Sequence, residues 1–172
     1  FKAEFAGMTD VFQKPFALKA MIMNYNIDFL DKLFPEAIFI HVKRNPLTNI
    51  ESALKAREHQ LGSIDKWYSF KIPEYYELIK RNPYEQVAGQ IYHINKAVES
   101  GFDKVAEQKK MTLQYEDFCT DPKAVFKELR QKLAANGCQI DADYSLQEVF
   151  NITRREVIDR NIIDAWNSFD AN

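Results

Sequence analysis

The residues best placed to do chemistry lie in "FPEAIFIHVKRNPLTNIESALKAR", Phe34 to Arg57. An apolar, β-branched run from Ala37 to Val42 stops at Arg44-Asn45-Pro46, and Ser52 follows Arg44 by eight positions. Such a run suits a strand buried on both faces of a parallel sheet. Asn45 is a good helix N-cap and Pro46 fits a first helical position. The corner therefore joins a strand end to a helix start. Backbone N–H groups and the positive end of the helix dipole attract anions there. The Arg44 guanidinium offers a fork that matches phosphate oxygens. Asn45 and Ser52 are seven residues apart, two helical turns, and so share a side of the helix. Arginine, helix start and hydroxyl can converge on one dianion. A plainer reading stays open: Arg44 pairs with a carboxylate, Asn45 only caps, and Ser52 only packs.

The neighbouring segments must hold this corner. Phe16 to Leu18 reads as a short strand ending at Lys19, and Ile22 to Leu33 reads as a helix with Ile22, Phe29, Leu30 and Leu33 on one face. The helix from Pro46 carries Leu47, Ile50 and Leu54 on one stripe and ends before Gly62. "SIDKWYSFKIPEYYELIKRNP" is aromatic and broken by prolines, so short helical turns are expected. Val87, Ile91, Ile94 and Val98 mark a long helix from Tyr84 to about Val105. Met111 to Tyr115 is a second strand. Lys123 to Ala135 is a helix closed by Gly137. The tail from Tyr144 is poorly patterned apart from the basic pair Arg154-Arg155. Alternating strands and helices predict one layered α/β domain over residues 1–172, with a mostly parallel sheet. So few strands suggest that the N-terminal part of the sheet is missing.

Composition narrows the function classes. The chain is 46% hydrophobic and 28% charged, which suits a single domain with a real core. A net charge of −2 advertises no nucleic-acid surface, so any anion site is local. Cys119 and Cys138 are too few for a disulfide framework and fit idle thiols, and so a cytoplasmic setting, with a lumenal one as the alternative. His41, His59 and His93 show no paired spacing, so no metal is expected. His41 reads as a core residue. No apolar run is long enough to span a membrane, and no signal peptide is visible.

With these residues in place, the sequence resembles the sulfotransferases that use 3′-phosphoadenosine-5′-phosphosulfate. "FPEAIFIHVKRNPLTNIESAL" is similar to their 3′-phosphate motif, a strand ending in Arg with a Ser eight positions on. "FALKAMIMNYNIDFLDKLFP" resembles the strand ending in Lys and the helix that precede it. "EQVAGQIYHINKAV" resembles the family's long helix, and "LQYEDFCTDPKAVFKEL" its strand, Tyr-Glu-Asp group and following helix. The resemblance runs in order over most of residues 14 to 135.

It implies a P-loop-NTPase-like domain, with a parallel sheet flanked by helices in three layers. It also implies transfer of a sulfuryl group from 3′-phosphoadenosine-5′-phosphosulfate to a hydroxyl or amine, on a small molecule or carbohydrate. Carried over, Arg44 and Ser52 would hold the 3′-phosphate and Tyr115 would lie near the adenine. Lys19 would stand near the moving sulfuryl group, and Arg154 and Arg155 would add basic contacts. Glu116 and Asp117 read as capping or pairing residues. Two features depart from the pattern. Nothing in Phe1 to Gln13 looks like the Gly/Ser/Thr-rich phosphosulfate loop, and Met21 stands where some members carry a catalytic histidine. The base is then expected before Phe1. Trp67, Tyr68, Phe70, Tyr75 and Tyr76 either line the acceptor site or form a satellite cluster. Two other readings compete. A truncated, non-catalytic binding module would lack the loop. A nucleotide or small-molecule kinase would need a Gly-x-x-x-x-Gly-Lys-Ser/Thr loop, and the chain has none.

Overall fold

The computed structural model describes residues 2–141, 143–145, 149–152 and 159–170. Helix α1 (Lys2–Phe12) leads into coil and a short 3-10 turn, Met21–Met23. Helix α2 (Ile27–Leu33) precedes strand β1 (Phe39–Lys43), and helix α3 (Pro46–Leu61) follows it. A short helix α4 (Tyr75–Leu78) and the long α5 (Pro83–Phe102) lead to strand β2 (Lys110–Gln114). Helices α6 (Tyr115–Thr120), α7 (Pro122–Ala135) and α8 (Arg160–Asp170) complete the described chain. The strands pair in parallel, so the fold is α/β with helices flanking a parallel sheet.

Local chemistry explains the boundaries. Asn45 caps α3, its Oδ1 accepting from the N–H groups of Leu47 and Thr48. Gly62 ends that helix in the left-handed region at φ 72°, where a side chain would be strained. Asn82 and Asp121 cap α5 and α7 in the same way, each followed by a proline.

Helix α5 organises the packing. Phe102 meets His41 edge-on and Glu99 reaches Lys43, while Gln86, four turns earlier, meets Arg57 of α3. As the chain climbs from His41 to Arg57, α5 descends from Gln86 to Phe102. Its second half covers the sheet and its first half stands beyond the carboxyl end of β1. Ile50, Leu54, Val87, Ala88, Ile162 and Ala165 form one buried cluster there. Ile27, Val98, Phe102 and Val105 form a second. Arg57 is almost wholly buried. It donates to Gln86 Oε1 (2.9 Å) and the Ile64 carbonyl (3.2 Å) and lies over the Trp67 ring. Burial pulls its pKa below the ordinary arginine value.

Several expectations are corrected. Phe16 to Leu18 is coil, not a strand. A strand needs a ladder partner, and Phe16 instead packs its ring on Phe5 of α1, 4.7 Å between centroids. The helix expected from Ile22 to Leu33 breaks at Asn24–Asn26, and Ile27 is the residue it buries. Asn residues favour such interruptions because their side chains compete for local backbone partners. β1 is not covered on both faces: Ile40 and Val42 are exposed, while His41 is buried. The tail contains the amphipathic helix α8, with Ile162, Ala165, Trp166 and Phe169 at helical spacing.

Gly89 records how closely α4, α5 and α8 meet. A Cβ there would run into Leu78 Cδ2 and lie 2.8 Å from Phe169 Cζ. Gly89→Ala should therefore destabilise the chain by about 1–3 kcal/mol despite alanine's better helix propensity. Urea unfolding checks this, and an unchanged or raised midpoint would contradict the packing described.

Candidate functional site

The pairing of the two strands builds the site. In their register Lys43 lies opposite Gln114. The next residues, Arg44 and Tyr115, thus leave the sheet at one level, and the Arg44 guanidinium carbon lies 5.0 Å from the Tyr115 ring centroid. That is a cation–π contact. Arg44 Nε is buried and has no hydrogen-bond partner among the described residues, and no described carboxylate forms an ion pair with Arg44. A buried, unsatisfied donor costs about 1–3 kcal/mol, more for a charged group. An acceptor oxygen, such as that of an anion, would remove this cost.

The opening of α3 contributes less than its sequence implies. Asn45 Oδ1 already takes the N–H groups of Leu47 and Thr48, and Asn49 donates to the Asn45 carbonyl. The Asn45 N–H points to Glu116 Oε1 at 3.4 Å. Binding power at the corner therefore resides in side chains. Ser52 is exposed two turns along α3 from Asn45, and its hydroxyl makes no described hydrogen bond. Tyr115 opens α6. Its hydroxyl pKa is raised, first by a hydrogen bond with Cys119, then by that thiol's charge and by burial, while Arg44 pulls it down.

The remaining site candidates stand apart. Lys19 is exposed in the coil before the 3-10 turn and joins no described ion pair or hydrogen bond. Arg154 and Arg155 lie outside the described residues. Among the described residues no three His, Cys, Asp or Glu side chains gather as metal ligands, and no helix is long and apolar enough to cross a membrane. Cys119 is buried and Cys138 half-buried, both as free thiols. Glu116 does pair at a helix start, accepting from the N–H of Asn45, the cap of α3.

Two hollows lie beside α5. One, of about 420 Å³, is bordered by His41, Lys43, Glu99 and Lys132. The other, of about 360 Å³, is bordered by Tyr25, Glu74, His93 and Ser100. Neither is lined by Arg44, Ser52 or Tyr115; Arg44 and Tyr115 are half-buried and Ser52 is exposed. In the second hollow Glu74 gathers two partners: Tyr25 donates its hydroxyl to Oε2 (3.1 Å) and His93 Nδ1 lies 3.8 Å from Oε1. Sequence reading missed this cluster. Its members are 49 and 19 residues apart, and no local pattern links them. The Tyr25 hydroxyl is held well above the usual tyrosine range, first by burial and then by the Glu74 charge.

A model of the sulfotransferase family matches residues 5–136, and the chain belongs to that family. No match was found among curated proteins or among solved structures.

His41 gives a pH test of the scaffold beneath the corner. Burial, and then Lys43, lower its pKa, with Glu99 opposing. The folded chain therefore holds His41 neutral while the unfolded chain takes up a proton near pH 6.5. Stability should fall on acidification from about pH 7.5 to about pH 5.5, and His41→Gln should flatten that slope. Glu99 is held low, first by the Lys43 hydrogen bond. Its contribution is lost only at lower pH, below the ordinary carboxylate range. Urea midpoints at the two pH values check this, and equal slopes in the two proteins would contradict it.

Proposed function

We propose that the chain is a sulfotransferase that takes its sulfuryl group from 3′-phosphoadenosine-5′-phosphosulfate. Membership of the sulfotransferase family carries the general activity. The single observation supporting this donor is the buried, unpartnered Arg44 Nε at the strand-to-helix corner. Arg44 would bind the 3′-phosphate through its fork, with the Ser52 hydroxyl as a second donor. Tyr115, braced by Arg44 on its ring, would sit against the adenine. Lys19 would supply positive charge toward the sulfuryl end, and Arg154 and Arg155 would add basic contacts.

When bound, the donor supplies a sulfuryl group whose transfer leaves charge on a phosphate. The protein's task is alignment and stabilisation of that charge. Arg44 and Ser52 serve alignment by fixing the donor's far end. The acceptor is a small molecule or a carbohydrate with a hydroxyl or amine. The free thiols favour a reducing, cytoplasmic setting. A binding module without catalysis is the alternative. Its feature is that nothing in Phe1 to Gln13 looks like the phosphosulfate loop, and turnover by the chain separates the two.

Isothermal titration of the chain with adenosine 3′,5′-bisphosphate tests the donor site. Arg44→Ala should weaken binding by about 2–3 kcal/mol, a loss of roughly 30- to 150-fold. ATP with magnesium should raise the melting temperature less than the bisphosphate does. Equal affinity in wild type and Arg44→Ala, or a preference for ATP, would overturn the assignment.

A further inference from the structure

The hollow beside α5 has the chemistry of an acceptor site, and its His93 end has the position. Its position follows from the direction of α5. Glu99 is tied to Lys43 at the end of β1, and His93 precedes Glu99 by six residues. At the helical rise, His93 stands about 9 Å further along α5, on the side of the sheet from which Arg44 emerges. It is thus at the height of the first turn of α3. In open α/β sheets ligands bind beyond the carboxyl ends of the strands. Arg44 lies there, and His93 is the α5 lining residue of the hollow nearest to it; the rest of the lining runs back beside the sheet, past Glu99 to Lys104.

The lining decides the class of ligand. At about 360 Å³ the hollow falls at the small end of small-molecule sites. Tyr25, Asp28, Glu74, His93, Lys96, Ser100 and Lys104 are polar, against Ile27, Ala97 and Gly101. Such a lining suits a compact molecule with several hydroxyls better than an apolar phenol or a lipid.

The cluster within it is built to position an imidazole. Glu74 arrives on the turn before α4 and is fixed by the Tyr25 hydroxyl. Its other oxygen faces His93 Nδ1. The His93 ring is packed edge-on against Tyr92 (5.3 Å) and Phe169 (6.1 Å). Nε2 has no described partner. The other charges facing the hollow are in hand: Lys104 lies 3.7 Å from Asp28 and Lys96 lies 3.8 Å from Glu99.

We propose that this hollow binds the sulfuryl acceptor, a small polyhydroxylated molecule, with His93 taking the hydroxyl proton and Glu74 positioning His93. The proposal rests on the sulfotransferase reading above. As the acceptor oxygen bonds to sulfur, its proton passes to His93 Nε2. The sulfur–oxygen bond to the donor's 5′-phosphate breaks, and its electron pair leaves on adenosine 3′,5′-bisphosphate.

The test is a nuclear magnetic resonance titration of the full chain, with methyl β-glucopyranoside and myo-inositol as polyol probes and 1-naphthol as the apolar probe. Adenosine 3′,5′-bisphosphate is titrated separately. Either polyol should shift the His93 imidazole signals and the amides of Ser100 and Gly101. Ser100→Leu, which fills the hollow, should abolish those shifts, and its bisphosphate affinity shows whether it is folded. Glu74→Gln should reduce the polyol-induced shift of the imidazole more than that of the Ser100 amide. Bisphosphate binding without any polyol shift in the hollow overturns the acceptor site alone. Polyol shifts without bisphosphate binding support the site and overturn the donor reading. Shifts from naphthol only overturn the ligand class. Glu74→Gln reducing both signals equally overturns the positioning role.

Discussion

The site depends on the register of two parallel strands. With Lys43 opposite Gln114, the next residue of each strand is released at the same height, and Arg44 comes to rest against Tyr115. A slip of one residue would turn every side chain of one strand to the other face of the sheet. His41 would then leave the α5 side and Arg44 would lose its platform. The salt bridge from Lys43 to Glu99 and the ring contact from His41 to Phe102 bind the same strand to α5. Sheet register and helix docking therefore fix one another.

The upper half of α5 gives the corner its surroundings. Arg57, buried without a carboxylate partner among the described residues, donates through Nη1 to Gln86 and a carbonyl and lies over the Trp67 ring, while its Nη2, like Arg44 Nε, has no described partner. Buried charge without such partners is strongly unfavourable. The arrangement ties α3, α5 and the aromatic segment into one body. That segment then serves two purposes. Trp67 and Tyr75 pack edge-on, and Trp67 and Gln90 both donate to the Phe70 carbonyl. Glu74, between them, is carried to the edge of the hollow beside His93.

The sequence revealed what short spacing encodes. The strand end, the Asn-Pro helix start, the long α5 stripe and the Gly62 and Gly137 stops are all local patterns, and the structure has each of them. The parallel α/β class followed from their order. What failed depended on partners. Phe16 to Leu18 has strand composition but joins no ladder among the described residues. The apolar run of β1 implied cover on both faces, yet Ile40 and Val42 are exposed. The stripe of α8 is regular, but it was hidden by the polar residues around it. At the site, Arg44 was legible from the strand-to-helix corner and Tyr115 from the family resemblance, whereas their stacking was not, because it is made by strand pairing. Asn45 was read as a cap. That its cap would use up the N–H groups open to an anion is a consequence only coordinates display. The grouping of Tyr25, Glu74 and His93 joins three separate segments and has no sequence signature.

The central claim is that Arg44 Nε, buried and unsatisfied, waits for a phosphate oxygen of the donor nucleotide. A crystal structure of the chain with adenosine 3′,5′-bisphosphate measures this most directly. The account predicts the 3′-phosphate at about 3 Å from Arg44 Nε and the Ser52 hydroxyl, with the adenine beside Tyr115. A nucleotide bound elsewhere, or Arg44 turned onto Glu116 with the phosphate untouched, would contradict it.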